Sequence, residues 1–260
     1  MKLLGFKASS NVLLIPGIFA SVAGYVLSHN PIFALVCFAC LVSLFVKDVL
    51  PKSWNPQSIK NSVIELVIAF FSALAIWLAL TFILQTASPI DVVTSCSMVP
   101  ALDRGDLIIL QGGQISAQSV QLRQGNTALG LVKEPCTLRN RDGASRPEQC
   151  TVGAFVNDKP YNFTREGDII VYEPQGSSSR LGLIIHRVVL KLVTPEKTLY
   201  ITKGDNNART DLEGLSLQPV DNGNVHGKMI ARIPYLGYLK LFLALQFNEP
   251  EACQYTITKP

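Results

Sequence analysis

Two serines separated by one residue, in the run Thr94-Ser95-Cys96-Ser97-Met98-Val99-Pro100, stand about ten residues beyond a long apolar stretch. A serine hydroxyl becomes a nucleophile when a base takes its proton and nearby donors hold the oxyanion that follows. Here Ser97 can supply the hydroxyl, and its backbone N–H with the side chain of Ser95 can donate to the oxyanion. Three histidines compete for the role of base. His29 lies between two apolar segments, His226 sits in a polar turn before Gly227-Lys228, and His186 ends an apolar run. By elimination His186 is the best base, because imidazole, with an ordinary pKa of about 6.5, suits proton transfer near neutrality. Lys191 and Lys203 are the alternatives, and they would shift activity into alkali. A carboxylate that orients the imidazole can come from the run Lys203-Gly204-Asp205-Asn206-Asn207-Ala208-Arg209-Thr210-Asp211. Its two aspartates, Asp205 and Asp211, both qualify.

The elements that must carry these residues divide sharply in composition. Hydrophobic residues make up 48% of the 260 and charged residues only 16%, too apolar and too sparsely charged for an ordinary soluble domain. The apolar excess sits in three early segments, 12–28, 31–46 and 63–84. The last is long enough as a helix to cover the roughly 30 Å of a bilayer core. The first two are at or just under the usual minimum, and only His29-Asn30 separates them, so they read as a helical hairpin that crosses and returns, with a shallow re-entrant pair as the alternative. Lys2 and Lys7 precede the first segment and Lys47, Lys52 and Lys60 lie between the second and third. The positive-inside rule then keeps the N-terminus and the 47–61 loop in the cytoplasm, and leaves everything after about residue 88 outside it or in a secretory lumen.

Beyond the membrane segments, short β-branched runs predict strands at 107–110, 168–172, 183–189, 199–202 and 225–233. The expected fold is a membrane-anchored, mostly β protein. Its organisation reads as a membrane hairpin and cytoplasmic loop (1–61), an anchor helix (62–87) and a β domain in two parts (88–110 and 166–238). A less regular stretch (111–165) reads as an inserted subdomain or long hairpin, and 239–260 as a C-terminal interfacial segment and tail. Gly105-Asp106 and Gly167-Asp168 look structural, glycine for a turn and aspartate for local amides. Cys136 and Cys150 flank a polar loop that a disulfide can tie, worth roughly 3 kcal/mol on a chain-entropy argument. Cys37 and Cys40 read as small packing residues, and Cys253 has no evident partner. The triplet Asn162-Phe163-Thr164 is a glycosylation acceptor pattern.

The chemical residues fall in ordered boxes: S-x-S-M-x-P-x-L-x-x-G-D at 95–106, G-D-I-I-V-Y at 167–172, I-H-R-V-V at 185–189 and T-K-G-D-N-N-x-x-x-D at 202–211, with a further run from Gly227-Lys228 to Gly237-Tyr238. In this order they resemble type I signal peptidases of the endoplasmic-reticulum and archaeal branch, in which histidine stands where the bacterial branch has lysine. The resemblance implies a Ser-His-Asp peptidase that removes signal peptides from exported preproteins, cutting after small residues in an A-x-A pattern. It implies Ser97 as nucleophile, His186 as general base and Asp211 as third member, with Asp205 in support. Ser95 then becomes the auxiliary oxyanion donor, and Met98 helps to shape the substrate cleft. Expected partners are preproteins, the lipid bilayer and the translocation machinery. No cofactor, metal or nucleic acid is implied. The expected location is multi-pass in the cell membrane with the catalytic domain extracytoplasmic, or lumenal in a eukaryote. The competing reading is a non-catalytic or specialised membrane subunit that positions or processes a narrow set of exported proteins.

Overall fold

A computed structural model describes residues 11–49, 55–122, 129–175, 182–215 and 218–258. Lys2, Lys7 and Lys52, on which part of the orientation argument rests, lie outside the described residues. The chain divides into two compact units, Met1–Leu80 with Tyr238–Glu249, and Thr81–Gly237 with Pro250–Pro260.

The first unit is helical. Helices α1 (Asn11–Ser28) and α2 (Pro31–Val49) flank a two-residue turn in which His29 takes a positive φ of 53°. Gly24 lets them meet, since a Cβ there would stand 2.6 Å from the ring of Phe33. Helix α3 (Pro56–Leu84) begins earlier than the apolar run because Asn55 caps it, its side chain accepting from the Ser58 amide. Among the described residues it is the one helix long and apolar enough to cross a membrane, and none of its residues is buried. An all-round apolar surface of this kind suits a hydrocarbon solvent. Within the C-terminal segment, α5 (Tyr238–Leu243) buries Tyr238, Leu241 and Phe242. Tyr25 is the reason: it is fully buried edge-to-face against Tyr238 and Phe242, and its hydroxyl donates to the Phe247 carbonyl.

The second unit is mostly β. Strands β1 (Ile90–Val92), β2 (Leu107–Gln111), β3 (Ser119–Gln121), β4 (Leu129–Asn140), β5 (Ser145–Val156) and β6 (Lys159–Asn162) come first. Strands β7 (Ile169–Tyr172), β8 (Ile184–Val193), β9 (Thr198–Lys203), β10 (Val220–Asp221), β11 (Val225–Ile233) and β12 (Tyr255–Thr258) follow. A four-residue helix, α4 (Asp211–Gly214), follows β9. An eight-stranded sheet runs β1-β2-β11-β7-β8-β9-β10, with β3 added parallel to β8. Every residue of β7 is buried, as its unbroken apolar run demands of a strand covered on both faces.

The second sheet, in the order β12-β4-β5-β6, occupies the stretch expected to be less regular. Its β4–β5 hairpin is long and continuous, and Gly143 supplies the positive φ of its turn. Pro135 and Pro147 within the strands argue against strand structure in the sequence, yet alternation survives, with Cys136 and Leu138 inward between exposed neighbours. Cys136 and Cys150 are joined by a disulfide on this hairpin. His226 lies in β11, not in a turn.

Candidate active site

The run that carries Ser95 and Ser97, the candidate nucleophile, follows β1 directly. Val93 still pairs with the loop before β2, donating to the Asp106 carbonyl and accepting from the Gly105 amide. The chain then turns tightly, the Val99 amide donating to the Cys96 carbonyl and the Leu102 amide to the Met98 carbonyl. Met98 and Leu102 anchor the turn because both are buried in the core with Ile108, Leu110 and Val171. Asp106 ends it, accepting from the Asp103 amide and from Arg232, while Gly105 takes the required positive φ of 88°. Burial, followed by the charge of Asp106, raises the Asp103 pKa.

Strand β8 brings His186, the candidate base. Side chains alternate across a strand, so His186 and Arg187 project to opposite faces. His186 Nε2 stands 3.0 Å from Ser97 Oγ, and Nδ1 stands 2.8 Å from each carboxylate oxygen of Asp211. On the other face Arg187 forms a two-point pair with Asp205, at 2.9 Å from Nε to Oδ1 and 2.7 Å from Nη2 to Oδ2. Its Nη1 donates to the Gly167 carbonyl. The two aspartates left open by the sequence are thus divided between the two faces of one strand.

Asp211 is the first residue of α4 and is 3% exposed. Its carboxylate accepts from the Tyr172 hydroxyl at 2.7 Å and from the Thr202 hydroxyl at 2.6 Å. Burial, and then the adjacent charge of Asp211, push the Tyr172 pKa far upward, so its phenol remains a donor at any working pH. Two fixed donors on the carboxylate leave it oriented to accept the third hydrogen bond, from Nδ1–H of the imidazole. That tautomer leaves Nε2 as an acceptor facing the Ser97 hydroxyl.

Ser95 Oγ lies 3.2 Å from Ser97 Oγ, and Met98 is both core and cleft wall. The alternative bases are elsewhere: Lys191 Nζ donates to the Ile115 carbonyl and Lys203 Nζ faces the Gly204 carbonyl. His29 pairs with Glu249, and His226 is 4.0 Å from Glu173. A cleft of about 540 Å³ opens over Ser97 and His186. Asp91 to Ser95 line one wall and Leu183 to Ile185 the other, with Asn207, Leu215 and Ala252 completing it.

Five residues escaped the sequence reading as contributors to this geometry. Tyr172 and Thr202 stand in boxes quoted there, but nothing in a strand-ending tyrosine says that it faces a carboxylate. Asn206 lies in the acidic run and donates its backbone amide to the Ser97 carbonyl. Gly204 permits this approach, since a Cβ would stand 2.7 Å from that oxygen. Cys253, expected to be alone, is disulfide-bonded to Cys96, the residue between the two serines. Their 157-residue separation concealed the pair.

A half-buried serine joined through a buried histidine to a buried aspartate, beside an open cleft, is the arrangement of a serine hydrolase. No family model matches the chain. Among curated relatives, the signal peptidase complex catalytic subunit SEC11 of Scheffersomyces stipitis is 31% identical over 184 residues, 69% of this chain and 80% of that protein. The subunit of the same name from Metarhizium acridum is 26% identical over 192 residues (73% and 84%), and that of Candida albicans strain SC5314 28% over 184 residues (70% and 81%). The chain belongs to the type I signal peptidase family, in the branch of these endoplasmic-reticulum catalytic subunits.

Proposed function

We propose that the chain is a membrane-bound serine endopeptidase that removes N-terminal signal peptides from exported preproteins, cutting after small residues. The observation that carries this reading is the continuous hydrogen-bonded array from Ser97 through His186 to Asp211. In the first step Ser97 Oγ bonds to the scissile carbonyl carbon while its proton passes to His186 Nε2. The tetrahedral oxyanion accepts from Ser95 and the Ser97 amide. Its collapse breaks the C–N bond, and the imidazolium returns the proton to the leaving amine. Water, deprotonated in turn by His186, then releases the acyl group from Ser97. Asp211 keeps the imidazole in the accepting tautomer, and Asp205 supports the site indirectly by holding Arg187.

The cleft favours an extended peptide. Among the described residues β1 is a free edge of its sheet, and β8 pairs with β9 only from Arg187 onward, which leaves the Ile184 to His186 edge open on that side. A substrate strand entering between these edges gains main-chain hydrogen bonds while alternate side chains meet the walls. The anchor holds this cleft at the membrane, where substrate and enzyme share one layer. In this reading α1 and α2, about 27 and 29 Å long at 1.5 Å per residue, add two crossings to that of α3. The β unit then faces the extracytoplasmic or lumenal side, a placement supported by its two disulfides. The β4–β5 hairpin is an insertion on the catalytic scaffold. Partner subunits are expected, since the named relatives are subunits of a complex.

The test is cleavage of a radiolabelled preprotein by the detergent-purified chain beside Ser97→Ala, with the product N-terminus sequenced. A cut after A-x-A that vanishes in the variant is the expected result. A cut that survives in Ser97→Ala overturns the assignment of the nucleophile.

A further inference from the structure

The C-terminal segment, residues 250–258, is tied to the nucleophile turn directly by a disulfide and indirectly through Asn206, and it borders the cleft. Cys253 is covalently joined to Cys96, immediately before Ser97. Asn206, only 3% exposed, spans the same two segments. Its Nδ2 donates to the Cys96 carbonyl at 3.2 Å and to the Tyr255 carbonyl at 3.0 Å, while its Oδ1 accepts from the Ile257 amide at 2.9 Å. Ala252, next to Cys253, lines the cleft itself. The far end of the segment is fixed in turn, because β12 pairs along β4 and the Gln254 carbonyl accepts from the Arg141 amide.

These contacts are more than a tail needs in order to lie down. A turn that presents a nucleophile must hold its hydroxyl to within a fraction of an ångström, and a shift of about 1 Å can cost about a hundredfold in rate. The backbone hydrogen bonds within 95–102 close the turn, the Val99 amide on the Cys96 carbonyl among them, but leave the Cys96 side chain to be held from outside. The disulfide holds that side chain, and the Asn206 side-chain amide adds a second donor to the Cys96 carbonyl. We propose that residues 250–258 are a strap that positions the nucleophile turn, with Cys253 and Asn206 as positioning residues that act on Ser97 through Cys96. The proposal rests on the reading of Ser97 as the nucleophile.

The test uses the full chain in detergent and three variants: Cys96→Ala/Cys253→Ala, which removes the bond without leaving a thiol, Asn206→Ala, and Val120→Ala. The last trims a buried side chain on β3, away from the turn, and serves as a control for lost stability. Hydrogen exchange at the amides of Val99 and Leu102, which close the turn, reads positioning without any need for activity. Cleavage of a quenched A-x-A peptide reads its consequence. The expected result is exchange at least about tenfold faster in both strap variants and kcat lower by about ten- to a hundredfold, with Val120→Ala changing neither. Unchanged exchange and kcat in the disulfide variant overturn the strap. If the wild-type chain cuts nothing, the proposed function fails, and the exchange measurement still decides whether the strap orders the turn.

Discussion

The two sheets of the β unit handle charge in opposite ways. The eight-stranded sheet buries His186, Arg187, Lys203 and, beside it, Asp211, and gives the His186 imidazole and the Asp211 carboxylate a closed set of partners. The four-stranded sheet keeps its ionised groups near solvent, as in the pair of half-exposed Lys133 with Glu213, and draws its cohesion from a disulfide set in a small apolar patch. Burying an ion pair returns little net stability against apolar residues of the same volume, whereas deleting one partner of such a pair is expensive. The first sheet therefore holds its charges for what they do, and the second wears them as ordinary surface.

The sharpest break of that contrast is Asp211→Asn. The side chain keeps its size and can still accept from Tyr172 and Thr202, but its amide can donate to Nδ1 and select the tautomer with Nε2 protonated. That imidazole cannot take the Ser97 proton. A fall in kcat of roughly a thousandfold or more is expected, with the fold retained, measured by single-turnover cleavage of a quenched peptide. A fall of less than about tenfold would remove Asp211 from the array.

Next in size is the opposite face of β8. Arg187→Met leaves Asp205 buried without its two-point partner, and a loss of roughly 3–5 kcal/mol in unfolding free energy is expected. The double variant Arg187→Met/Asp205→Asn should recover part of this, because no charge is then stranded. Thermal unfolding in detergent distinguishes the two. If the single variant unfolds with the wild type, the pair is not the buried network described above.

The division of labour between these aspartates followed from the family resemblance and was not legible in residue types and spacing alone. Both lie in one acidic run six residues apart, and only the path of the chain from β9 into α4 puts Asp211 under Tyr172 and turns Asp205 towards Arg187. The boxes that carry Ser97, His186 and the acidic run were legible, because each is a short contiguous stretch whose residue types already suit the chemistry. So were the buried strands, whose β-branched runs face apolar surroundings on one or both sides. The β4–β5 hairpin was obscure for the converse reason: one face is solvated, and two prolines interrupt its pattern. Local closure explains the cysteines as well. Cys136 and Cys150 are 14 residues apart around a polar turn, whereas the partner of Cys253 is set by a tertiary path that no spacing encodes.

The smallest expected effect lies where the two sheets are joined. Glu213, in the same short helix as Asp211, accepts from Lys133 of β4, Thr151 of β5 and Thr210. Burial alone would raise its pKa, but hydrogen bonds from Lys133 and Thr151, the Lys133 charge and Thr210 together bring it below the usual carboxylate value. A carboxylate with a depressed folded-state pKa contributes stability that is fully present above its unfolded value, about 4.3, and is lost as pH falls through the folded one. Acidification below about pH 4.3 should therefore narrow the gap in melting temperature between the wild type and Glu213→Gln, which at pH 7 should be small because Lys133 is half-exposed. Melting curves at pH 7, 4 and 3 read the effect. A gap that is constant across this range would mean that the link between α4 and the second sheet does not depend on the charge of Glu213, and the contrast between the sheets would then rest on the buried face alone.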